Sequence, residues 1–136
     1  MKAKVVWKND MEFSGSADSN HSVTMDAKEQ VGGHDKGCRP KELLLIGLGG
    51  CTGMDVISIL KKMRVEPPDL EIEIHAELTD EHPLKFKTIH LKYHVKGEVD
   101  LDKVVKAVEL SQTRYCAVSA ILRDSSELTY EIVYVE

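Results

Sequence analysis

Three cysteines carry the most reactive side chains of this sequence, Cys38, Cys51 and Cys116. Cys51 lies in the most apolar stretch, LLLIGLGGCTGMDVISIL over residues 43–60, and Cys116 lies near the C-terminal end in the run RYC. If the fold brought these two sulfurs into contact, one thiolate could reduce an oxidant and become a sulfenic acid, with which the other thiol would condense to a disulfide. The alternative for each cysteine is a small buried apolar residue without chemistry.

The glycines around Cys51 allow two interpretations. Gly47 and Gly49 begin a G-x-G-x-x-G pattern, in which a strand, a phosphate loop and a helix would bind a nucleotide. Thr52 stands where the third glycine is needed, and an antiparallel hairpin follows in place of the next parallel strand, which disfavours a nucleotide site. In the other interpretation the stretch is a buried helix that breaks near Gly49-Gly50 and restarts at Cys51, where the helix dipole would stabilise a thiolate.

The helix around Cys51 has clear start and stop signals. The run RPKE at residues 39–42 predicts its beginning, because proline is tolerated at the first helical position and an acidic side chain suits the positive end of a helix. The helix is predicted to run from Leu43 through Arg64 and to stop at the two prolines of residues 67–68.

Apolar residues alternate with polar ones on both sides of this helix, which predicts strands. A second helix, capped by Asp100, follows the hairpin and ends near Tyr115, and a short helix over residues 116–123 precedes the last strand. The predicted strands are residues 4–8, 11–17, 21–27, 70–78, 88–95 and 128–135, and the residues predicted to face inward from the second helix are Val104, Val105 and Val108. This order of elements is typical of an α+β fold. The 136 residues are predicted to form a single domain, 1–136.

Composition and charge exclude several kinds of partner. The net charge is −5 and no basic stripe is present, so no nucleic acid partner is expected. The first residues, MKAKVVWKNDMEF, lack the apolar core of a signal peptide, which predicts a cytoplasmic protein without a disulfide framework. Residues 43–60 are long enough to span a membrane, but Asp55 and the glycines interrupt them, so we expect a core helix and no membrane partner.

Other residues that could do chemistry receive structural interpretations. His90 and His94 share one face of a strand but lie about 13 Å apart, too far for one metal ion, so neither a metal nor another cofactor is expected. Asp55 follows Cys51 by one helical turn and is interpreted as a capping or dimer contact rather than a catalytic group. Cys38 ends the polar loop EQVGGHDKGC, which is long for so small a domain, and is predicted to be an exposed loop thiol.

Two segments, taken together and in order, resemble one known family. PKELLLIGLGGC at residues 40–51 and YCAVS at residues 115–119 are similar to motifs of the OsmC/Ohr proteins, the osmotically inducible and organic hydroperoxide resistance proteins. The resemblance implies an intertwined homodimer with long central helices, flanking sheets and active sites between the chains. It also implies reduction of organic hydroperoxides, with Cys51 as the peroxidatic cysteine, Cys116 as the resolving cysteine, Glu42 beside the reactive thiolate and an external thiol as reductant.

The sequence departs from the hydroperoxide-resistance branch in its arginine. That branch supplies an arginine from the N-terminal strands or the following loop, and residues 1–38 contain none. Arg39 is the nearest candidate, and its guanidinium could pair with a carboxylate and remain charged beside a thiolate. The residues of both motifs are more similar to those of a less characterised OsmC-like branch than to those of the hydroperoxide-resistance branch. The alternative function on the same scaffold is a protein that binds a small molecule or lipid and has no peroxidase activity.

Overall fold

The computed structural model describes residues 1–136 and has the α+β architecture that the sequence predicts. A single 3₁₀ turn, Glu29–Val31, precedes the first helix, and a π-helical turn, Ser111–Tyr115, follows the second. The chain divides into two compact units, residues 1–46 and residues 47–136. The strands and helices are, in order, β1 Ala3–Asn9, β2 Glu12–Ala17, β3 Ser22–Met25, α1 Pro40–Lys62, β4 Asp69–Leu78, β5 Phe86–Lys96, α2 Leu101–Leu110, α3 Ala117–Arg123 and β6 Glu127–Val135.

The N-terminal unit is an antiparallel meander of β1, β2 and β3 followed by the polar loop. The loop is organised around Asp26, which is only 3% exposed. Its carboxylate accepts hydrogen bonds from the backbone N–H groups of Ala27, His34 and Lys36 at 2.7, 3.1 and 3.1 Å. Burial by itself would raise the pKa of Asp26, but these three hydrogen bonds hold it below its ordinary value. The loop is therefore tied to a buried anion.

The C-terminal unit is built on a second sheet in the order β4-β5-β6, with β4 antiparallel and β6 parallel to β5. Glu73 lies opposite Lys92, so the acidic outer face of β4 lies beside the basic outer face of β5. Alternate residues of β5 are buried because one face of the sheet is covered by helices. The core is formed by Phe86, Ile89, Leu91, Tyr93 and Val95 of β5, Leu48, Thr52, Val56 and Leu60 of α1, and Val104, Ala107 and Val108 of α2.

The prediction that Val105 of α2 faces inward is wrong. Val105 is 45% exposed, whereas Val104 and Val108 are fully buried. Residues four apart lie on one side of a helix, and Ala107 completes that side, so Val105 faces outward.

Helix α1 runs from Pro40 to Lys62 without the break predicted near Gly49-Gly50. A Cβ atom on Gly49 would lie 3.1 Å from Cδ1 of Ile74, and one on Gly53 would lie 3.2 Å from Cδ1 of Ile72. These glycines bring the helix close to β4, and the packing offsets their low helix propensity. Residues 43–46 are helical rather than a strand, which also removes the nucleotide-binding interpretation.

Helix α1 is long and apolar enough to cross a membrane by length and composition alone, a test that the core helix of a soluble protein also passes. Its residues Leu48 to Leu60 at four-residue spacing are buried. Its other side exposes Leu44, Ile46 and Met54, which are 50, 58 and 75% exposed. A large apolar face of the helix is therefore uncovered in the single chain.

Candidate functional site

Cys51, Asp55 and Cys116 form a cluster in the C-terminal unit. The two sulfur atoms and one carboxylate oxygen of Asp55 all lie within 4.8 Å of one another. Cys51 and Asp55 are one turn apart on α1 and are half-buried, and Cys116 is buried. The fold thus brings together the two cysteines that the sequence singles out, and it adds Asp55, which the sequence interpretation kept apart from the chemistry. The sequence did contain one sign of this contact, because residues four apart, such as Cys51 and Asp55, lie on the same face of a helix.

Cys116 is placed by an irregular backbone. After α2 the chain makes the π-helical turn Ser111–Tyr115, in which the N–H of Cys116 donates to the carbonyl of Ser111 at 2.8 Å. Cys116 is then the N-cap of α3, and its sulfur accepts from the N–H of Ser119 at 3.4 Å. Single π turns within helices are frequent at functional sites, where they direct side chains differently from a regular α-helix. Here the turn contains Ser111 and Gln112, whose side chains are buried in the core.

The two thiols have different environments. Burial raises the pKa of the Cys116 thiol, the neighbouring Ser119 partly opposes this shift, and the neighbouring Cys51 adds to it. Cys116 is therefore a protonated thiol at neutral pH. Cys51 is in the middle of α1, so the helix N-terminus that the predicted break would have placed beside it is absent. The cysteine at a helix N-terminus is Cys116.

A chain of buried hydrogen bonds leads to Asp55. Ser111 Oγ donates to Asp55 Oδ2 at 2.9 Å and lies 2.7 Å from Thr52 Oγ1, which lies 2.7 Å from the Tyr93 hydroxyl. Gln112 Nε2 donates to that hydroxyl at 2.7 Å. Each hydroxyl has one proton. Because Ser111 gives its proton to Asp55, Thr52 must donate to Ser111 and Tyr93 to Thr52, so every donor in the chain points toward the carboxylate.

The far end of this chain is a cation. Arg123 Nη2 donates to Gln112 Oε1 at 3.0 Å, which fixes the orientation of the amide. Burial raises the pKa of Tyr93, so its hydroxyl is neutral and serves as both donor and acceptor. Aligned hydrogen bonds polarise one another, and this chain therefore stabilises Asp55 as an acceptor next to the two sulfurs.

We expect Tyr93→Phe to lower the free energy of unfolding by about 1–3 kcal/mol, because it leaves the buried Gln112 donor without its best partner. The measurement is chemical denaturation of the reduced protein. Tyr130→Phe is the matched control, since Tyr130 is a neighbour on the same sheet, 38% exposed and in edge-to-face contact with Tyr93. The control should change stability by less than about 0.5 kcal/mol. Equal effects of the two substitutions would contradict the importance of the buried hydroxyl.

Arg39 and Glu42 are joined through the backbone. The Glu42 carboxylate accepts from the N–H of Arg39 at 2.7 Å, which is one half of a capping box at the start of α1. The guanidinium of Arg39 instead forms an ion pair with Asp35 at 2.6 Å and donates to the carbonyl of Gly37 at 2.9 Å. The hydrogen bond to Asp35 raises the pKa of Arg39 further. The carboxylate partner of Arg39 is thus Asp35, and a role of Arg39 and Glu42 beside the thiols stays a prediction.

A pocket of about 350 Å³ adjoins the cluster through Asp55. Tyr115, the neighbour of Cys116 in sequence, forms part of its wall, and Arg114 lies over the Tyr115 ring at 5.5 Å from its centroid. The volume is in the range of small-molecule sites. The lining residues are Asp55, Ser58, Ile59, Lys62, Met63, Leu110 and Tyr115.

The remaining candidates lie elsewhere. Cys38 is half-buried rather than exposed as predicted, and it forms an isolated backbone bridge with Met25 in the N-terminal unit. His90 contacts Thr129 and Glu131 across the sheet. His75 and His94 both contact Glu73, and these hydrogen bonds lower the pKa of that carboxyl.

Comparisons with known proteins agree on one family. The sequence model of the family described as OsmC-like protein matches residues 33–131. Protein YhfA of Escherichia coli strain K12 is 36% identical over 136 residues, which cover 98% of each chain. A solved structure of a hypothetical protein from Aquifex aeolicus VF5 is 30% identical, with a TM-score of 0.81 over 99% of this chain and 97% of that one. The organic hydroperoxide resistance protein OhrB of Bacillus subtilis is 20% identical, with a TM-score of 0.69 over 97% of this chain and 98% of that one, a likeness of fold.

Proposed function

Because the chain belongs to the OsmC-like family, which the family match and the similarity to YhfA establish, we propose that it is a thiol-dependent peroxidase that reduces organic hydroperoxides. The observation that carries the proposal is the cluster in which the sulfurs of Cys51 and Cys116 lie within 4.8 Å of each other. A disulfide requires a sulfur–sulfur distance of about 2.05 Å, so a modest movement of side chains and backbone would close the bond.

The environments of the two sulfurs support different roles. Cys51 is half-buried and therefore more exposed than Cys116, which suits the peroxidatic cysteine. Cys116 is buried, and burial raises the pKa of its thiol, which suits a resolving cysteine that reacts only after the first step. This division is the one that the resemblance of the two motifs implies.

The proposed reaction has two steps in the protein. The Cys51 thiolate attacks the terminal oxygen of the hydroperoxide, the O–O bond breaks, and the alkoxide leaves and takes up a proton to become an alcohol. Cys51 is then a sulfenic acid. Cys116 attacks its sulfur and loses a proton, the hydroxyl leaves as water, and a disulfide forms. An external dithiol reduces this disulfide and restores both thiols. Asp55 lies next to both sulfurs and can take the proton from Cys116 and pass it to the leaving hydroxyl, which departs as water.

The pocket beside Asp55 suggests the substrate class. Ile59, Met63 and Leu110 give it an apolar wall that would hold the alkyl part of an organic hydroperoxide. Ser58 and Lys62 provide polar groups at the same pocket. The same pocket could serve a binding protein for a small apolar molecule. Native mass spectrometry of protein purified from its own cells would favour that alternative if it found a bound apolar compound and no disulfide after treatment with peroxide.

We further propose that the protein is a homodimer in which a second copy covers the apolar face of α1. Leu44, Ile46 and Met54 on this face are at least half exposed. The N-terminal sheet also exposes apolar side chains, with Val5 at 58% and Trp7 at 61%. Uncovered apolar surface on two elements is typical of a chain whose core is completed by its partner.

We expect the wild-type protein to elute at twice the mass of the chain and Met54→Glu to shift it toward the monomer, because a buried charge without a partner opposes association. Light scattering coupled to size-exclusion chromatography measures the masses, and circular dichroism checks that the helix content is retained. Lys61→Glu, at an exposed position of the same helix, is the control and should leave the mass unchanged. A monomeric wild-type protein would contradict the proposal.

A further inference from the structure

We propose that reduced Cys51, Cys116 and Asp55 bind one thiophilic divalent cation of the Zn²⁺ class. In a tetrahedral zinc site the metal lies about 2.3 Å from sulfur and about 2.0–2.2 Å from oxygen, which separates neighbouring ligand atoms by roughly 3.5–3.8 Å. The two sulfurs and the Asp55 oxygen lie within 4.8 Å of one another, so a contraction of about 1 Å brings them to these distances. Thiolates favour zinc over harder divalent ions, and zinc also binds carboxylate oxygen.

Asp55 is oriented for such a ligand. Ser111 donates to Oδ2 of Asp55 at 2.9 Å, and Oδ1 would be the oxygen that binds the metal. Metal-bound carboxylates are commonly held in this way by a hydrogen bond to the oxygen that does not ligate. The directed chain from Gln112 through Tyr93, Thr52 and Ser111 fixes this orientation from within the core. The Ser111 hydroxyl is an uncharged donor, and a bound cation would neutralise the Asp55 carboxylate.

The burial of the cluster suits a site with an open position. Cys51 and Asp55 are half-buried, which leaves a route for the ion, and Cys116 closes the inner side. Three protein ligands leave the fourth position of a tetrahedral ion for water or another small ligand. The expectation of no metal rested on the distance between His90 and His94. Cys51 and Cys116 are far apart along the chain and belong to no short ligand motif, so local spacing did not indicate this cluster.

Metal binding and disulfide formation would exclude each other, since both use the same two sulfurs. When an oxidant takes two electrons from the thiolates, one S–S bond forms, both metal–sulfur bonds break, and the ion leaves as the divalent cation. The bound ion would therefore mask the thiols until they are oxidised. Binding itself does not depend on the peroxidase proposal, because it requires only the reduced thiols and Asp55.

The test uses the reduced full-length protein, freed of metal and titrated with Zn²⁺ in competition with a chromophoric chelator. We expect one ion per chain. Cys51→Ser and Cys116→Ser should each lower the affinity at least about 100-fold, and Ser111→Ala should lower it about 10–100-fold by releasing Asp55. Cys38→Ser is the matched control and should bind as the wild type does.

Titration with Co²⁺ provides a spectroscopic readout. A thiolate-to-cobalt charge-transfer band in the near ultraviolet should appear with the wild type, weaken in Cys116→Ser and be unchanged in Cys38→Ser. The azo oxidant diamide, which is reduced to a hydrazine as the disulfide forms, should release one ion per chain. Binding that survives both cysteine substitutions, or that needs Cys38, would overturn the proposal. Since no hydroperoxide is used, a protein that lacks peroxidase activity could still give the expected result.

Discussion

We expect Cys51→Ser to lower the rate of organic hydroperoxide reduction by roughly 10³-fold or more, to a rate near that of the reaction without protein. A serine hydroxyl at this position cannot form the thiolate that attacks the O–O bond, and Cys116 is too buried to replace it. The measurement is consumption of cumene hydroperoxide in a coupled assay with a dithiol reductant. The fold should be retained, because Cys51 is half-buried and serine is close to cysteine in size.

The matched control is Cys38→Ser, which removes a half-buried thiol from the N-terminal loop. This variant should retain the wild-type rate, which would show that the loss depends on the position of the thiol rather than on the number of thiols. Equal turnover of the hydroperoxide by the wild type and Cys51→Ser would contradict the peroxidase proposal. In that case the binding-protein alternative would remain for the same pocket.

Cys116→Ser is expected to separate the two chemical steps. The first turnover should proceed, with one alcohol formed per chain, because Cys51 is intact. Steady-state turnover should then fall by roughly 10–100-fold, since an external thiol must replace a sulfur that the fold holds in place. Cys51 sulfenic acid should accumulate and be trapped by dimedone, which mass spectrometry detects as an adduct on Cys51.

The pH dependence of the wild type gives a second measure of Cys116. Burial raises the pKa of this thiol above its ordinary value, so the fraction of thiolate grows only as the pH rises into the alkaline range. The rate of disulfide formation should therefore increase with pH in that range, and Cys116→Ser should lack the increase. If Cys116→Ser keeps the wild-type steady-state rate and dimedone traps no sulfenic acid, Cys116 is not the resolving cysteine.

Much of the fold could be predicted from local signals. Asp100 caps α2 as predicted, with its side chain accepting from the N–H of Lys103, because a cap depends on residues that are near in sequence. The two prolines after Arg64 and the alternation in β4 and β5 also gave the correct elements. The predicted break of α1 was wrong because the approach of Ile72 and Ile74 to the glycines is a tertiary contact. The π-helical turn at Ser111 was not foreseen, since its residues carry no distinctive local pattern.

The sequence by itself determined the α+β class and the order of the elements, and it identified Cys51 and Cys116 as candidate reactive residues. These features depend on helix caps, alternation and family motifs, which are encoded within short segments. Only the tertiary structure decided that the two sulfurs and the Asp55 carboxylate lie within 4.8 Å of one another. It also decided that the donors in the hydrogen-bond chain from Arg123 to Asp55 are all directed toward the Asp55 carboxylate. It also paired the guanidinium of Arg39 with Asp35. These contacts join residues far apart in sequence, and their partners are selected by packing rather than by any local pattern.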